Sequence, residues 1–221
     1  MAKNRTTDQI AKFENYHSLD LTNKIYQVKT VRLAQKYSLT KPHIVELGSA
    51  DDSFLNYLME KINGTGVGLD LTKGDDLEKP LKLKSSTADL VIALEIIEHL
   101  FDTDAFLSEI HRILKSKGIL ILSTPNLASL PNRLRLLFGN YPKYLEYSSA
   151  GAGHIHLYTP RTIQSQLKKS GFQILKSTSP NFLCPFITKK WFPHPLKKVC
   201  LLLGDWLPSL GSHLIIVAQK S

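Results

Sequence analysis

A chain of 221 residues has room for one α/β domain with a full core, and a second independent domain would need most of the remainder, so one domain over 1–221 is expected. Hydrophobic residues at 43% and charged residues at 21% exclude a disordered or fibrous class. A net charge of +9, from 28 Lys+Arg against 19 Asp+Glu, favours an anionic partner, whether nucleic acid, phospholipid surface or phosphorylated substrate.

The opening stretch "MAKNRTTDQIAKFENYHS" has no apolar core of signal-peptide length, and no run reaches the roughly 20 apolar residues of a spanning helix, so a cytoplasmic protein is expected. Cys184 and Cys200 lack CxxC spacing, and no disulfide framework or zinc site is read from them. From about Leu19 to Tyr37, Leu21, Ile25, Val28 and Val31 recur at helical spacing, ahead of a break before Pro42. "HIVELG" then reads as a buried strand. Asp51 or Asp52 is placed to cap the next helix, whose inward face is Phe54, Leu55, Leu58 and Ile62.

"GVGLDL" gives a second strand ending at Asp70, and "ADLVIALEI" a third with a longer apolar run. A helix follows from Asp104 to Lys115, with Phe106, Leu107, Ile110, Ile113 and Leu114 inward and Gly118 as its stop. "GILILSTPN" is the next strand. "TPRTIQSQLKKSGF" reads as cap, helix and glycine stop, leading to a strand at about Gln173 to Lys176, and "SHLIIVAQK" closes the chain as a last strand. Apolar strands separated by helix-length segments predict a parallel sheet covered on both faces. Segments at about 127–153 and 180–211 fit the alternation poorly and read as insertions.

In such sheets ligands sit beyond the carboxyl ends of the strands, and an acidic residue ending the second strand is placed to hold ribose hydroxyls. "IVELGSADDSF" opens like a nucleotide-binding turn, but Ala50 and Asp52 stand where two further glycines would be expected. Taken in order, "HIVELGSADDSF", "GVGLDL", "GDDLEKPL", "ADLVIALEIIEHL", "EIHRILKSKGILILSTPN" and "HIHLYTPRTIQSQLKKSGF" resemble the class I S-adenosylmethionine-dependent methyltransferases, in the branch holding the ubiquinone-biosynthesis O-methyltransferases. The resemblance covers about residues 40–178 and the final strand. It implies a Rossmann-like, doubly wound seven-stranded sheet with the last strand antiparallel, and S-adenosylmethionine as cofactor. Glu46 would lie near the methionine ammonium, Gly48 and Ala50 in the turn, Asp70 on the ribose, and Asp76 or Asp75 at the adenine amine. Ala93, Leu94 and Glu95 would line the cofactor. S-adenosylmethionine carries no pyrophosphate, so losing two glycines harms a dinucleotide reading more than a methyl-donor reading. The stretch after Asp70 is short for the family's usual helix and full third strand.

Glu95, Glu98 and His99 fall at the turn after the third strand, facing the donor's methyl or simply tying the turn. Related ubiquinone O-methyltransferases and small-RNA 2′-O-methyltransferases share this E-x-x-E-H, and the latter add a distant histidine before an aromatic and a Thr or Ser. His154, followed by Tyr158 and Thr159, occupies a similar place, with His156 on the same side of an extended segment. His99 and His154 are the candidate bases or metal ligands for a hydroxyl acceptor; a hard divalent cation could use two carboxylates with an imidazole, but no metal is assigned. His43, His111 and His213 read as surface or strand-end residues.

In the first insertion Arg133, Arg135 and Lys143 interleave with Leu134, Leu136, Leu137, Phe138, Tyr141 and Tyr144, as in a cationic cover for an acceptor or a helix packed on the sheet. In the second, Leu196, Val199, Cys200, Leu203, Trp206 and Leu207 share a helical face beside Lys189, Lys190, Lys197 and Lys198. That pattern suits either peripheral contact of 182–209 with an anionic membrane or packing over the pocket or a dimer partner. The expected function is methyl transfer to a small-molecule or lipid-like acceptor, at oxygen. The alternatives are a non-catalytic protein keeping the donor-binding fold, and a metal-dependent RNA 2′-O-methyltransferase, for which no RNA-binding module or stacking platform is recognisable.

Overall fold

The computed structural model describes residues 21–142, 153–180 and 193–221. Along the chain run α1 (Leu21–Tyr37), β1 (His43–Leu47), α2 (Ser53–Ile62), β2 (Thr65–Leu69), β3 (Ala88–Leu94), α3 (Thr103–Ile113), β4 (Leu114–Pro125), α4 (Leu130–Leu137), α5 (Pro160–Lys169), β5 (Phe172–Thr178), α6 (His194–Trp206) and β6 (His213–Lys220).

The strands join one sheet in the order β2-β1-β3-β4-β6-β5. β1 pairs in parallel with β2 and β3, and β3 with β4, whereas β6 lies antiparallel to both β4 and β5. The α/β class and the antiparallel last strand therefore match expectation, but six strands are present among the described residues, not seven. The missing strand would fall between Asp70 and Ala88. There Leu71–Lys73 form a single 3-10 turn and the chain crosses without pairing, burying Leu81 and resting Leu77 and Leu83 against the core. Three apolar anchors spaced along an irregular path satisfy the core without a ladder, which leaves β2 as the sheet edge.

The core has two layers divided by the sheet. One face carries Val45, Leu47, Val91, Ala93, Leu120 and Leu122 against α3 and α5. The other carries Ile44, Leu90, Ile92, Ile119 and Ile121 against α1 and α2. Alternate residues of the same strand serve opposite layers, as the two-residue period demands. Both faces are covered, so the strands read as unbroken apolar runs.

Three local expectations are corrected. On α1, Thr30, Val31 and Ala34 are buried while Val28 is exposed; Leu19 lies outside the described residues. Gly118 does not stop α3: the helix ends at Ile113 with Leu114 already extended, and Gly118 lies inside β4. Between the Ala88–Leu114 and Leu90–Ile119 pairs β4 takes extra residues, a bulge that includes Lys117 at φ 60°. At α2, Asp52 occupies the N-cap position but makes no capping bond; Asp51 Oδ1 accepts from Ser53 N at 3.1 Å instead. The Thr159 cap of α5, by contrast, forms a reciprocal box with Thr162, and Gly171 follows the helix at φ 85°. The first insertion contains α4, and its residues 143–152, with Lys143 and Tyr144, lie outside the described residues.

Candidate functional site

The carboxyl ends of β1, β2 and β3 converge on one edge of the sheet, where the acidic residues singled out in the sequence are gathered. After β1 the chain turns sharply, and Gly48, Ala50 and Asp52 all have positive φ, at 79°, 47° and 60°. The three positions of the glycine pattern thus keep the left-handed backbone that glycine serves, with a non-glycine side chain at two of them. Each such residue costs about 1 kcal/mol. Local bonds offset that cost. Ala50 N donates to Asp70 Oδ2 at 3.0 Å, tying the turn to the end of β2. Asp52 is clasped by Lys73 Nζ, which also donates to Ser49 Oγ at 2.8 Å.

This Ser49–Asp52–Lys73 group sits over Gly68, where a Cβ would stand 2.0 Å from Asp52 Oδ1 and 2.2 Å from Ser49 Oγ. Gly68, Ser49 and Lys73 were missed in the sequence. The available signal was the glycine in the middle of a strand, which marks a close approach. Gly48 is constrained from the other side, since a Cβ there would meet Ile96 Cδ1 at 2.2 Å.

Asp70 holds this corner together. Besides Ala50 N, its Oδ1 accepts from Thr72 N at 2.8 Å and Thr72 Oγ1 at 2.7 Å, capping the 3-10 turn. Glu46, next to Gly68 in the β1–β2 register, is buried, and its Oε2 has no hydrogen-bond partner among the described residues. Burial, reinforced by Asp52 and opposed by Lys73, pushes its pKa up to about 8. Asp76 lies further along the same crossing, where it accepts from Glu78 N at 3.0 Å and pairs with Lys79 at 3.0 Å; these bonds hold its carboxyl below the usual range.

Beyond β3, Ala93 is fully buried and Leu94 half-buried, and Glu95 has φ 56°. Glu95 Oε1 accepts from Ser123 Oγ at 2.9 Å, and its other oxygen lies 3.5 Å from His213 Nε2. His213, read as a strand-end residue, therefore borders the site: the antiparallel course of β6 brings its first residue to the edge where the parallel strands end.

The following 3-10 turn, Ile97–His99, carries the second group. Glu98, His99 and His154 each offer a ligand atom within 4.8 Å of one another, and the two imidazoles stack tilted with centroids 4.6 Å apart. His154 reaches them because Ile155 N and His156 N both donate to Glu98 O, at 2.8 and 3.1 Å, pinning that segment to the turn. His156 points elsewhere, with Nε2 3.2 Å from Phe101 O. Glu98 is buried, and neither carboxyl oxygen makes a hydrogen bond of good geometry among the described residues, although Thr124 is near enough to favour the ionised form slightly. Burial, with Glu95 adding to it, raises its pKa well above the usual carboxylate value.

One corner thus offers acceptors around a tight glycine turn, and the other a buried acid with two imidazoles. Residues 21–177 match the family model described as "Methyltransferase domain", and the chain belongs to this family, among the class I S-adenosylmethionine-dependent methyltransferases. It is similar to the ubiquinone biosynthesis O-methyltransferase of Brucella anthropi, with 25% identity over 127 residues, covering 57% of this chain and 50% of that one. The corresponding protein of Bartonella bacilliformis is 31% identical over 87 residues, 38% of this chain and 35% of that one. The chain spans about half or less of the length of these curated relatives. The fold is shared with an S-adenosylmethionine-dependent methyltransferase structure from Archaeoglobus fulgidus, at TM-score 0.60 and 18% identity, covering 89% of this chain and 94% of that one.

Proposed function

We propose that the chain transfers a methyl group from S-adenosylmethionine to an oxygen of a small-molecule or lipid-like acceptor. The observation that carries this reading is the pair of corners at one sheet edge: the Gly48–Asp52 turn tied to Asp70, and Glu98 with His99 and His154 one strand away. The donor corner suits this molecule on its chemistry. Glu46 keeps a buried acceptor without a partner, fitted to an ammonium, and Asp70 can turn from Thr72 toward a ribose diol. Ala93, Leu94 and Glu95 would line the space between the corners, and Asp76 would accept from the adenine amine.

When bound, S-adenosylmethionine supplies an electrophilic methyl carbon on a sulfonium. The chain's own task is then to align an acceptor hydroxyl, exclude water and receive the hydroxyl proton. His154, with His99 beside it, is the base in this reading, and the Glu98 carboxyl lies close to both imidazoles. The test is incubation with methyl-labelled donor and fractionated cell extract, aqueous and lipid fractions separately. Label should pass to an oxygen of one fraction with wild type and fail to pass with His154→Ala. Equal transfer by that variant would remove the base from the account.

A second reading is favoured by the same cluster. One carboxylate and two imidazoles fit a divalent cation, which Glu98, His99 and His154 would hold against the acceptor oxygen. Loss of transfer with chelator, restored by Mg²⁺ or Zn²⁺, would select it over simple base catalysis. A cytoplasmic location, with the membrane touched only from one side, accords with the finding that no helix among the described residues is long and apolar enough to cross a membrane.

A further inference from the structure

α6 presents an apolar face to water that the methyl-transfer reading does not use. At 100° per residue, Pro195, Leu196, Val199, Leu202, Leu203 and Trp206 fall on one side of the helix. Most of that side is exposed, Leu202 at 60% and Trp206 at 83%. The opposite side fastens the helix to the protein. Asp205 pairs with Lys29 of α1 at 2.9 Å, and Gly204 O accepts from Ser179 N at 3.0 Å, just past the end of β5. An outward tryptophan among leucines on a helix so tied is a patch built to meet something.

Charge indicates what it meets. Between 181 and 211 the sequence holds Lys189, Lys190, Lys197 and Lys198 against a single acid, Asp205. That one acid is turned inward onto Lys29, so the outward side carries no negative charge. The whole chain is at +9. A second apolar surface lies at the same sheet edge. α4 follows directly from β4 and exposes Leu136, Leu137 and Phe138, while its Arg133 and Arg135 donate to backbone carbonyls of Ala128 and Tyr141. The segment leading into α4 is tied to the one leaving α6 at Asn126, whose Nδ2 donates to Ser209 O and Gly211 O, at 3.0 and 2.8 Å.

We propose that α6 docks on an anionic phospholipid surface, its leucines and Trp206 entering the headgroup–acyl boundary, with the basic composition of 181–211 favouring anionic headgroups; Lys189 and Lys190 lie outside the described residues. The carboxyl-terminal edge of the sheet then faces the bilayer. This inference rests on the helix face and its charge, and it stands or falls separately from methyl transfer.

The experiment is co-sedimentation of the full chain with vesicles of phosphatidylcholine alone and of phosphatidylcholine with about three-tenths phosphatidylglycerol, at low and high salt. Wild type should bind the anionic vesicles, roughly fivefold more weakly for each lysine changed to Gln among the four, with added salt acting in the same direction. Leu202→Gln with Trp206→Gln should lose binding by tenfold or more at both salt levels while donor affinity stays at the wild-type value, which shows that the variant is folded. Failure of wild type to bind anionic vesicles at low salt would overturn the proposal. So would a wild-type dimer in solution that the double variant dissolves without any vesicle binding, because the face would then serve a second copy of the chain. Vesicle binding by a chain that fails to bind donor would sink the methyl-transfer reading and leave this one in place.

Discussion

Replacing Glu46 with Gln should change how the stability of the protein depends on pH, because the shape of the side chain is kept and its titration removed. The folded pKa of Glu46 is raised from 4.5 to about 8, chiefly by burial. Between those values the folded chain holds a proton that the unfolded chain has released, so the contribution of Glu46 to stability falls as pH rises through the window. Its full width corresponds to a ceiling of about 5 kcal/mol at roughly 1.4 kcal/mol per pH unit. Water entry and side-chain relaxation reduce such penalties, and a change of about 2 kcal/mol or more is expected. Urea unfolding of the ligand-free protein, followed by far-ultraviolet circular dichroism at several values from about pH 5.5 to about pH 8.5, measures the difference between wild type and variant. The stability of Glu46→Gln should gain on wild type steadily across the series. Parallel curves would refute the reasoning and mean that Glu46 is ionised and solvated in the folded protein.

The turn allows further predictions. Ala50→Gly should leave stability unchanged or raise it by up to about 1 kcal/mol, since relief of the left-handed strain is set against the extra freedom of an unfolded glycine; a loss above about 1 kcal/mol in urea would contradict the strain. Asp52→Gly should hold donor affinity within about tenfold, because the backbone conformation is kept and only the Lys73 contact is lost. Gly48→Val should abolish donor binding, as a branched residue at φ 79° must rebuild the turn and displace Ile96; normal titration heats would mean that the turn faces elsewhere. His154→Asn should lower kcat by about 10²–10⁴ with donor affinity unchanged, the split expected of a proton acceptor and not of a structural residue.

Much of this was legible in the sequence because the signals are local. The strands β1, β3, β4 and β6 are continuous apolar runs, and the α5 cap at Thr159 is set by residues three apart. Asp70 and the Glu95–His99 stretch could be placed at strand ends for the same reason. What was not legible depends on distant residues. Lys73 meets Asp52 only because β2 returns beside the turn, and His213 meets Glu95 only because β6 is inserted antiparallel between β4 and β5. The same holds for Gly118, a plausible helix stop by its neighbours, which pairing with β3 draws into β4. The seventh strand did not form because the chain after Asp70 is short and follows an irregular path, on which Leu77, Leu81 and Leu83 reach the core without pairing beside β2.

The central claim, that this sheet edge holds S-adenosylmethionine through the turn and Asp70, is tested most directly by isothermal titration of the donor into wild type and Asp70→Asn. The asparagine keeps the shape of the side chain and one acceptor oxygen, which can serve the Ala50 amide or the Thr72 amide but not both, and it removes the charge that would hold the ribose; an unchanged far-ultraviolet circular dichroism spectrum and urea midpoint establish that the variant is folded. Wild type should bind one equivalent, and the variant should bind at least about tenfold more weakly, the loss of a charge-assisted hydrogen bond worth about 1.5–3 kcal/mol. Equal affinity in the two proteins, or no binding by wild type where Asp52→Gly binds well, would contradict the account.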